Sequence, residues 1–460
     1  MSKIEVNEID KTTGSTLTLG GSGTAVTLAS GATQTGFGRS GSVNWDTTPK
    51  TATFTGVSGN GYFVNTTAGV VTANLPASPS AGDIMAVLDY AGTADTNNIT
   101  VGRNGSNING AASDLTISKE NSGIILVYVD GTQGWKNTET SNINDITLIP
   151  TFITATGGTE TTSGNFKIHT FTGPGTFTVC SVGNAAGSST VDYLVVAGGG
   201  AGATIASNNT GKGGGGGAGG YRESSGAASG CYTVSPLGSG VSALPVTAQG
   251  YPITVGAGGA IAPTSSQTEG NSGVNSTFST ITSAGGGGGG ASAPGAAGQN
   301  GGSGGGGSYS CQVSGGSGNT PPVSPPQGNP GGNGRPCVPY SAGGGGGATV
   351  AGTDATDPAS GPGGAGATSS INGTPTARAG GGGGSGKSFA PTPSTTGTGG
   401  TGGGGAGGTR TGPTASTAGT AGTANTGGGG GAGNPGSGNP AGSVAGAGGS
   451  GIVIIRYKFQ

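Results

Sequence analysis

Residues 381–388 read GGGGSGKS, the spacing G-x-x-x-x-G-K-[ST] of a phosphate-binding loop. In such a loop backbone N–H groups cradle the phosphates and the lysine reaches the terminal ones. The chemistry needs a buried strand before the loop and a helix after it. Here TPTARA precedes and FAPTPSTT follows, and neither fits. The match is set aside as a product of glycine abundance, as are the many GxGxxG matches. Asp354 and Asp357 are near enough in sequence to suggest a glycosidase carboxylate pair. They sit in a Pro/Gly loop with no apolar wall to raise one pKa, so a solvated turn is the better reading. The single histidine, His169, lies between Ile168 and Phe171 in a strand-like stretch and has no companion for a metal site. The four cysteines, Cys180, Cys231, Cys311 and Cys337, show no CxxC spacing, so a zinc site is not expected. Cys180 reads as a small buried hydrophobe in a strand. Cys311 and Cys337 fall in one loop region, as free thiols or, outside the cell, as a bridge. No catalytic, cofactor-binding or metal-ligating set emerges, and the chain is not expected to be an enzyme.

What remains are residues suited to recognition. Tyr309, Tyr340 and Phe389, with Arg335, Arg378 and Arg410, fall between glycine runs. Loops on a rigid scaffold are the usual place for binding, and Tyr and Arg are favoured contact residues. Residues 319–330, NTPPVSPPQGNP, form a stiff proline-rich loop that loses little entropy on binding. Singly, each of these residues is as well explained as ordinary surface; the functional reading belongs to the set.

The elements that must position these residues are unusual. From residue 198 onward the chain holds 85 of its 112 glycines, in runs such as 213–217, 285–290, 343–347, 380–384 and 427–431. A flexible linker is the plain alternative. Against it, the stretch is long, carries only eight basic and four acidic residues, and is interrupted by segments with their own aromatics. Strand-like segments bracket it: VDYLVVAGGG at 191–200 and GIVIIRYKF at 451–459. They are expected to meet and close the block. Glycine loses much backbone entropy on ordering, so only dense lateral hydrogen bonding would hold such a block together. A bundle of polyglycine II helices provides it: three residues per turn, no internal hydrogen bonds, and N–H and C=O groups pointing sideways. The fold class expected is therefore all-β N-terminal modules followed by a glycine-rich polyglycine II helix bundle bracketed by β-strands.

The segments DYLVVAGGG (192–200), GGGGAGGYRES (214–224), YPITVGAGG (251–259), STFSTITSAGGGGG (276–289) and GGSGIVIIRY (448–457) carry a resemblance. The chain resembles the glycine-rich receptor-binding adhesins of tailed bacteriophages, including the tip adhesins of T-even-like phages and the glycine-rich tail fibres of aquatic phages. The resemblance implies a virion protein whose variable loops touch a bacterial surface protein or glycan. It also implies a homotrimer, joined to other tail or baseplate proteins through its N-terminus.

Upstream, residues 1–41 read as a slender β stem for attachment and oligomerisation, since short Gly-split strands need partners. Residues 42–145 read as a β-sandwich or jelly roll, with short strands between turn signals such as SGNG and DGTQG. Both tryptophans lie here; core packing is the reading for Trp135, with exposed sugar stacking the alternative. Residues 146–197 form a small β module, 198–451 the glycine block and 452–460 the closing strand. The net charge of −2 gives no field to attract nucleic acid or an anionic membrane. The longest aliphatic run, Ile452 to Ile455, is too short to insert in a membrane. The polar start MSKIEVNEIDKTTG has no apolar core, so no secretory signal is expected. The function expected is a tail fibre that binds its host through loops of the glycine block. A structural filament or surface-layer protein is the alternative, and a polysaccharide depolymerase comes third.

Overall fold

The computed structural model describes residues 43–140, 146–184, 186–205, 211–230, 232–263, 268–292, 297–309, 314–335, 340–387, 395–412, 415–434 and 444–460. The expected stem, 1–41, lies outside these residues, as do Cys231, Cys311, Cys337 and Phe389. The chain divides into two compact units, Met1–Thr147 and Leu148–Gln460.

In the first unit the strands Asn44–Lys50, Asn60–Val64 and Ile84–Asp89 pair in parallel, and Gly123–Asp130 and Gly134–Thr140 extend the sheet antiparallel. Phe54–Thr55, Val71–Asn74 and Ile99–Gly102 pair in parallel in a second sheet, with Leu115–Ile117 antiparallel beside them. The chain thus crosses from one sheet to the other after each early strand. An antiparallel jelly roll, which the turn spacing suggests, is not the pairing seen. Alternation along each strand fills the space between sheets with Tyr62, Val64, Met85, Val101, Ile117, Leu126 and Trp135, all buried.

In the second unit a sheet of six runs Thr159–Ser163, Phe166–Phe171, Ile452–Lys458, Thr190–Val196, Tyr221–Glu223, with Leu244–Pro245 also pairing Thr190–Val196. The two bracketing segments do meet: Thr190–Val196 and Ile452–Lys458 are antiparallel, with Asp192 opposite Arg456 and Val196 opposite Ile452. The period of two gives this sheet two different faces. Val191, Tyr193, Val195, Val453, Ile455 and Tyr457 face a second sheet carrying Phe177, Tyr251, Ile253 and Phe278. Leu194, Val196, Ile452 and Ile454 face the other way, against Ala218, Ala348, Ala367 and Ala379 of the glycine block.

The helix bundle expected for that block is not what forms. Regular structure in the chain is strand, about 31%, with about 1% helical. Among the described residues the helical part is one three-residue turn, Pro236–Gly238. Each glycine segment directs its N–H groups to other segments, without regular helical structure of its own. Along 214–220 they donate in rotation to three neighbours: Gly214 to Gly290, Gly215 to Gly343, Gly216 to Gly430, Gly217 to Gly287, Ala218 to Gly346, Gly219 to Gly427 and Gly220 to Ala284. The runs 213–217, 285–290, 343–347, 380–384 and 427–431 are buried throughout. What the sequence leads one to treat as helices is a lattice of cross-linked segments attached to sheets.

Candidate functional site

Of the six contact residues named from the sequence, Tyr309, Arg335 and Tyr340 lie in segments between glycine runs, and Arg410 lies on the short strand Thr409–Arg410. Side-chain bonds link neighbouring segments of the block. Lys212 Nζ donates to Asn434 Oδ1 at 3.1 Å. The Gly213 N–H donates to Ser385 Oγ at 3.0 Å, and Ser360 Oγ donates to the Ser385 carbonyl at 2.6 Å. Ser308 Oγ donates to the Ala291 carbonyl at 3.1 Å. Gly386–Lys387 pairs in parallel with Thr409–Arg410.

Here the structure brings three predicted residues together. The Tyr309 and Tyr340 rings lie with centroids 4.4 Å apart, tilted by 42°. Arg335 is held next to Tyr340 by its N–H bond to the Ser341 carbonyl at 3.0 Å. Its guanidinium pairs with Asp357 at 3.1 Å. Both tyrosines and Arg335 are half-buried, and Asp357 is exposed. The result is a partly open patch of two aromatic rings and an ion pair. A surface ion pair of this kind adds little stability but holds the arginine in place. Asp354 does not join Asp357 in a carboxylate pair. It accepts from the Asn333 N–H at 2.6 Å and serves the turn.

Two arginines correct the sequence reading. Arg410 is 6% exposed, with Nε donating to the Gly412 carbonyl at 3.2 Å. Arg378 is 4% exposed and lies on the hairpin Ala367–Ser369/Thr376–Arg378, against the sheet. Its charge sits near Tyr221 and Glu223, and burial lowers its pKa. Neither side chain is open to a partner in this arrangement; their positions between glycine runs read as loops because short strands there leave no periodic signal. Phe389 lies outside the described residues.

The polar residues that sequence reasoning passed over are buried under the sheet. Glu223 accepts from Tyr221 Oη at 2.9 Å, the Ser235 N–H at 3.1 Å and Ser369 Oγ at 2.5 Å. Burial pushes its pKa up against those bonds. Asp192 accepts from Ser224 Oγ, the Gly226 N–H, and both N–H and Oγ of Ser229. These groups fasten the segment 224–235 to the sheet. Two carboxylates with every oxygen so engaged are anchors, not a catalytic pair.

The phosphate-loop match meets a physical obstacle. The N–H groups of Gly381, Gly382, Gly383, Gly384, Ser385 and Gly386 donate to the carbonyls of Gly364, Gly216, Gly405, Gly361, Gly213 and Gly408. None is turned to a ligand. His169 is wholly buried in its strand. Its Nδ1–H donates to the Gly157 carbonyl at 2.7 Å, which leaves Nε2 to accept from Tyr457 Oη at 3.1 Å. Cys180, expected to be buried, is an exposed thiol, because the alternation of Gly175–Ser181 turns it outward while Phe177 and Val179 face in. Among the described residues no group of three His, Cys, Asp or Glu is placed to hold a metal ion.

The sequence model of the Glycine-rich domain family matches residues 170–458. The chain belongs to that family. No curated protein matches it.

Proposed function

We propose that this chain is a receptor-binding fibre protein of a tailed bacteriophage, which attaches to a bacterial surface through loops of its glycine-rich domain. The observation that carries the reading is the half-buried Tyr309–Tyr340 pair beside the Arg335–Asp357 ion pair. It sits on loops that leave a lattice held by backbone bonds. Such a scaffold depends little on side-chain identity in its loops, so loop sequence is free to vary while the fold persists. Tyr gives a large contact area at small entropic cost, and Arg supplies a planar fork of donors. The phage setting, the homotrimer and attachment to tail or baseplate proteins rest on the resemblance of the bracketing and glycine-run segments. On this reading the protein has no catalytic role and the target is a surface protein or glycan.

The test is adsorption of particles, or of the purified full chain, to a panel of bacterial hosts. Exchange of 308–342 or 387–396 with the loops of a related fibre is expected to change the pattern. Exchange of 367–379, which contains the buried Arg378, is expected to affect folding and not host choice. An unchanged pattern after both loop exchanges overturns the reading. A self-assembled filament in electron micrographs, in place of a fibre on a tail, favours a structural role.

A further inference from the structure

The first unit carries a hollow that the glycine loops do not explain. One cross-strand row of its five-stranded sheet runs Trp45, Gly61, Ala86, Ile125, Glu139. Residues of one row share one face of the sheet. Trp45 and Glu139 stand at its two ends; between them Gly61 and Ala86 are small, and Ile125 forms part of the floor. The hollow measures about 310 Å³ and has Trp45 and Glu139 as walls, with Leu88, Gly123 and Ile125 beneath. That is close to the lower end of ligand-site volumes, roughly 300 Å³.

Trp45 is 37% exposed, whereas the other tryptophan, Trp135, is fully buried. The indole lies close against Gly61: a Cβ there would come within 2.8 Å of two ring carbons. Phe63 braces it, with ring centroids 4.9 Å apart. The indole is therefore braced by Gly61 and Phe63 while part of it stays exposed. An exposed, pre-positioned indole beside an apolar floor is a recurrent sign of a binding surface.

We propose that this hollow binds a neutral hexose unit of a glycan. A pyranose has one face of C–H groups and a rim of hydroxyls. The C–H face fits a single flat indole, and the hydroxyls fit a carboxylate acceptor, which Glu139 supplies as the charged residue of the lining. Among the described residues no basic side chain lines the hollow, and Glu139 disfavours anionic sugars. A quaternary ammonium ligand needs rings on several sides. Here Trp45 and Phe63 lie side by side, tilted by 34°, and Tyr90 stands edge-on beyond Phe63. That is a platform, not a box.

The experiment titrates the full chain with neutral oligosaccharides of glucose, galactose, mannose and N-acetylglucosamine at millimolar concentration, reading tryptophan fluorescence. Because Trp135 is buried, a change reports Trp45. At least one sugar is expected to shift the emission, and Trp45→Phe to remove the shift. Trp45→Ala is expected to weaken affinity measured by calorimetry about tenfold, with Glu139→Gln weakening it less. Near-ultraviolet dichroism of Trp135 checks that the variants fold. No response to any sugar, binding unaffected by Trp45→Ala, or binding of choline in place of sugars overturns the proposal. These outcomes leave the loop exchanges in the other unit untouched, so the two readings fail separately.

Discussion

Tyr309 and Tyr340 lie on separate loops, yet their ring centroids are 4.4 Å apart. A pair in this geometry contributes about 1 kcal/mol beyond its area burial. Tyr309→Ala and Tyr340→Ala should each lower stability modestly, and the double variant by less than the sum. Adsorption to the host should fall much further than melting does. Calorimetry of all four proteins, read beside adsorption, checks both parts. Additive stability losses would show that the rings do not interact.

A methyl group on Gly345 would stand closer than 3.0 Å to the carbonyl of Gly216, whose oxygen also accepts from the Gly382 N–H. The neighbour is backbone and cannot swing aside. Gly345→Ala should therefore cost at least about 3 kcal/mol, the upper end of the overpacking range. Gly173, with nothing within 4 Å of its added Cβ, should accept alanine at almost no cost. Thermal melts of the two variants make the comparison. Hydrogen exchange adds an independent reading, since N–H groups of 214–220 bonded in the lattice should exchange slowly.

Acid should weaken the second unit through His169. Burial holds its pKa below the ordinary 6.5, opposed by the bond to Gly157 and the charge of Glu160, with Lys167 adding to the lowering. The unfolded chain therefore takes up a proton more readily than the folded one. This residue's contribution is constant above about pH 6.5 and is lost as pH falls towards the folded value. Glu160, lowered by Lys167, gives a loss of the same sign only below about 4.5. Glu223, raised by burial, acts in the opposite sense above about 4.5 and is common to both proteins. The fall in melting temperature from pH 7 to pH 5 should be smaller in His169→Gln than in the native chain. Parallel profiles would remove His169 as the cause.

Asp192 receives four hydrogen bonds between 2.5 and 3.1 Å. An asparagine there turns one acceptor into a donor facing Ser224 or Ser229. Asp192→Asn should cost about 2 kcal/mol and free residues 224–229 from the sheet. Faster hydrogen exchange at Gly226 and Ser229, with Gly216 unchanged, is the expected pattern.

Gln327, fully buried, ties the proline-rich loop down: Oε1 accepts from the Ala284 N–H at 2.8 Å and Nε2 donates to the Pro321 carbonyl at 2.9 Å. Gln327→Leu leaves both backbone groups unpaired and should destabilise by about 2 kcal/mol. Limited proteolysis should then cut near 319–327, where the native chain resists.

Part of the strand pattern was legible in the sequence. The closing pair Thr190–Val196 and Ile452–Lys458 was legible from the β-branched and aromatic residues of the segments that bracket the glycine block. Strands such as Asn44–Lys50 and Thr159–Ser163 are hard to read from sequence, because their polar residues alternate weakly and gain their place only by pairing. Glycine runs carry no side-chain pattern, so their composition told that they must bond sideways and not to which partners. Tertiary structure decided that Gly216 donates to Gly430 and accepts from Gly382. It also decided which loop residues face outward: Tyr309 and Tyr340 stay at the surface, while Arg378 and Arg410 are drawn in. Burial depends on what stands opposite a residue, and in a lattice of nearly identical segments that is fixed by contacts far apart in the chain.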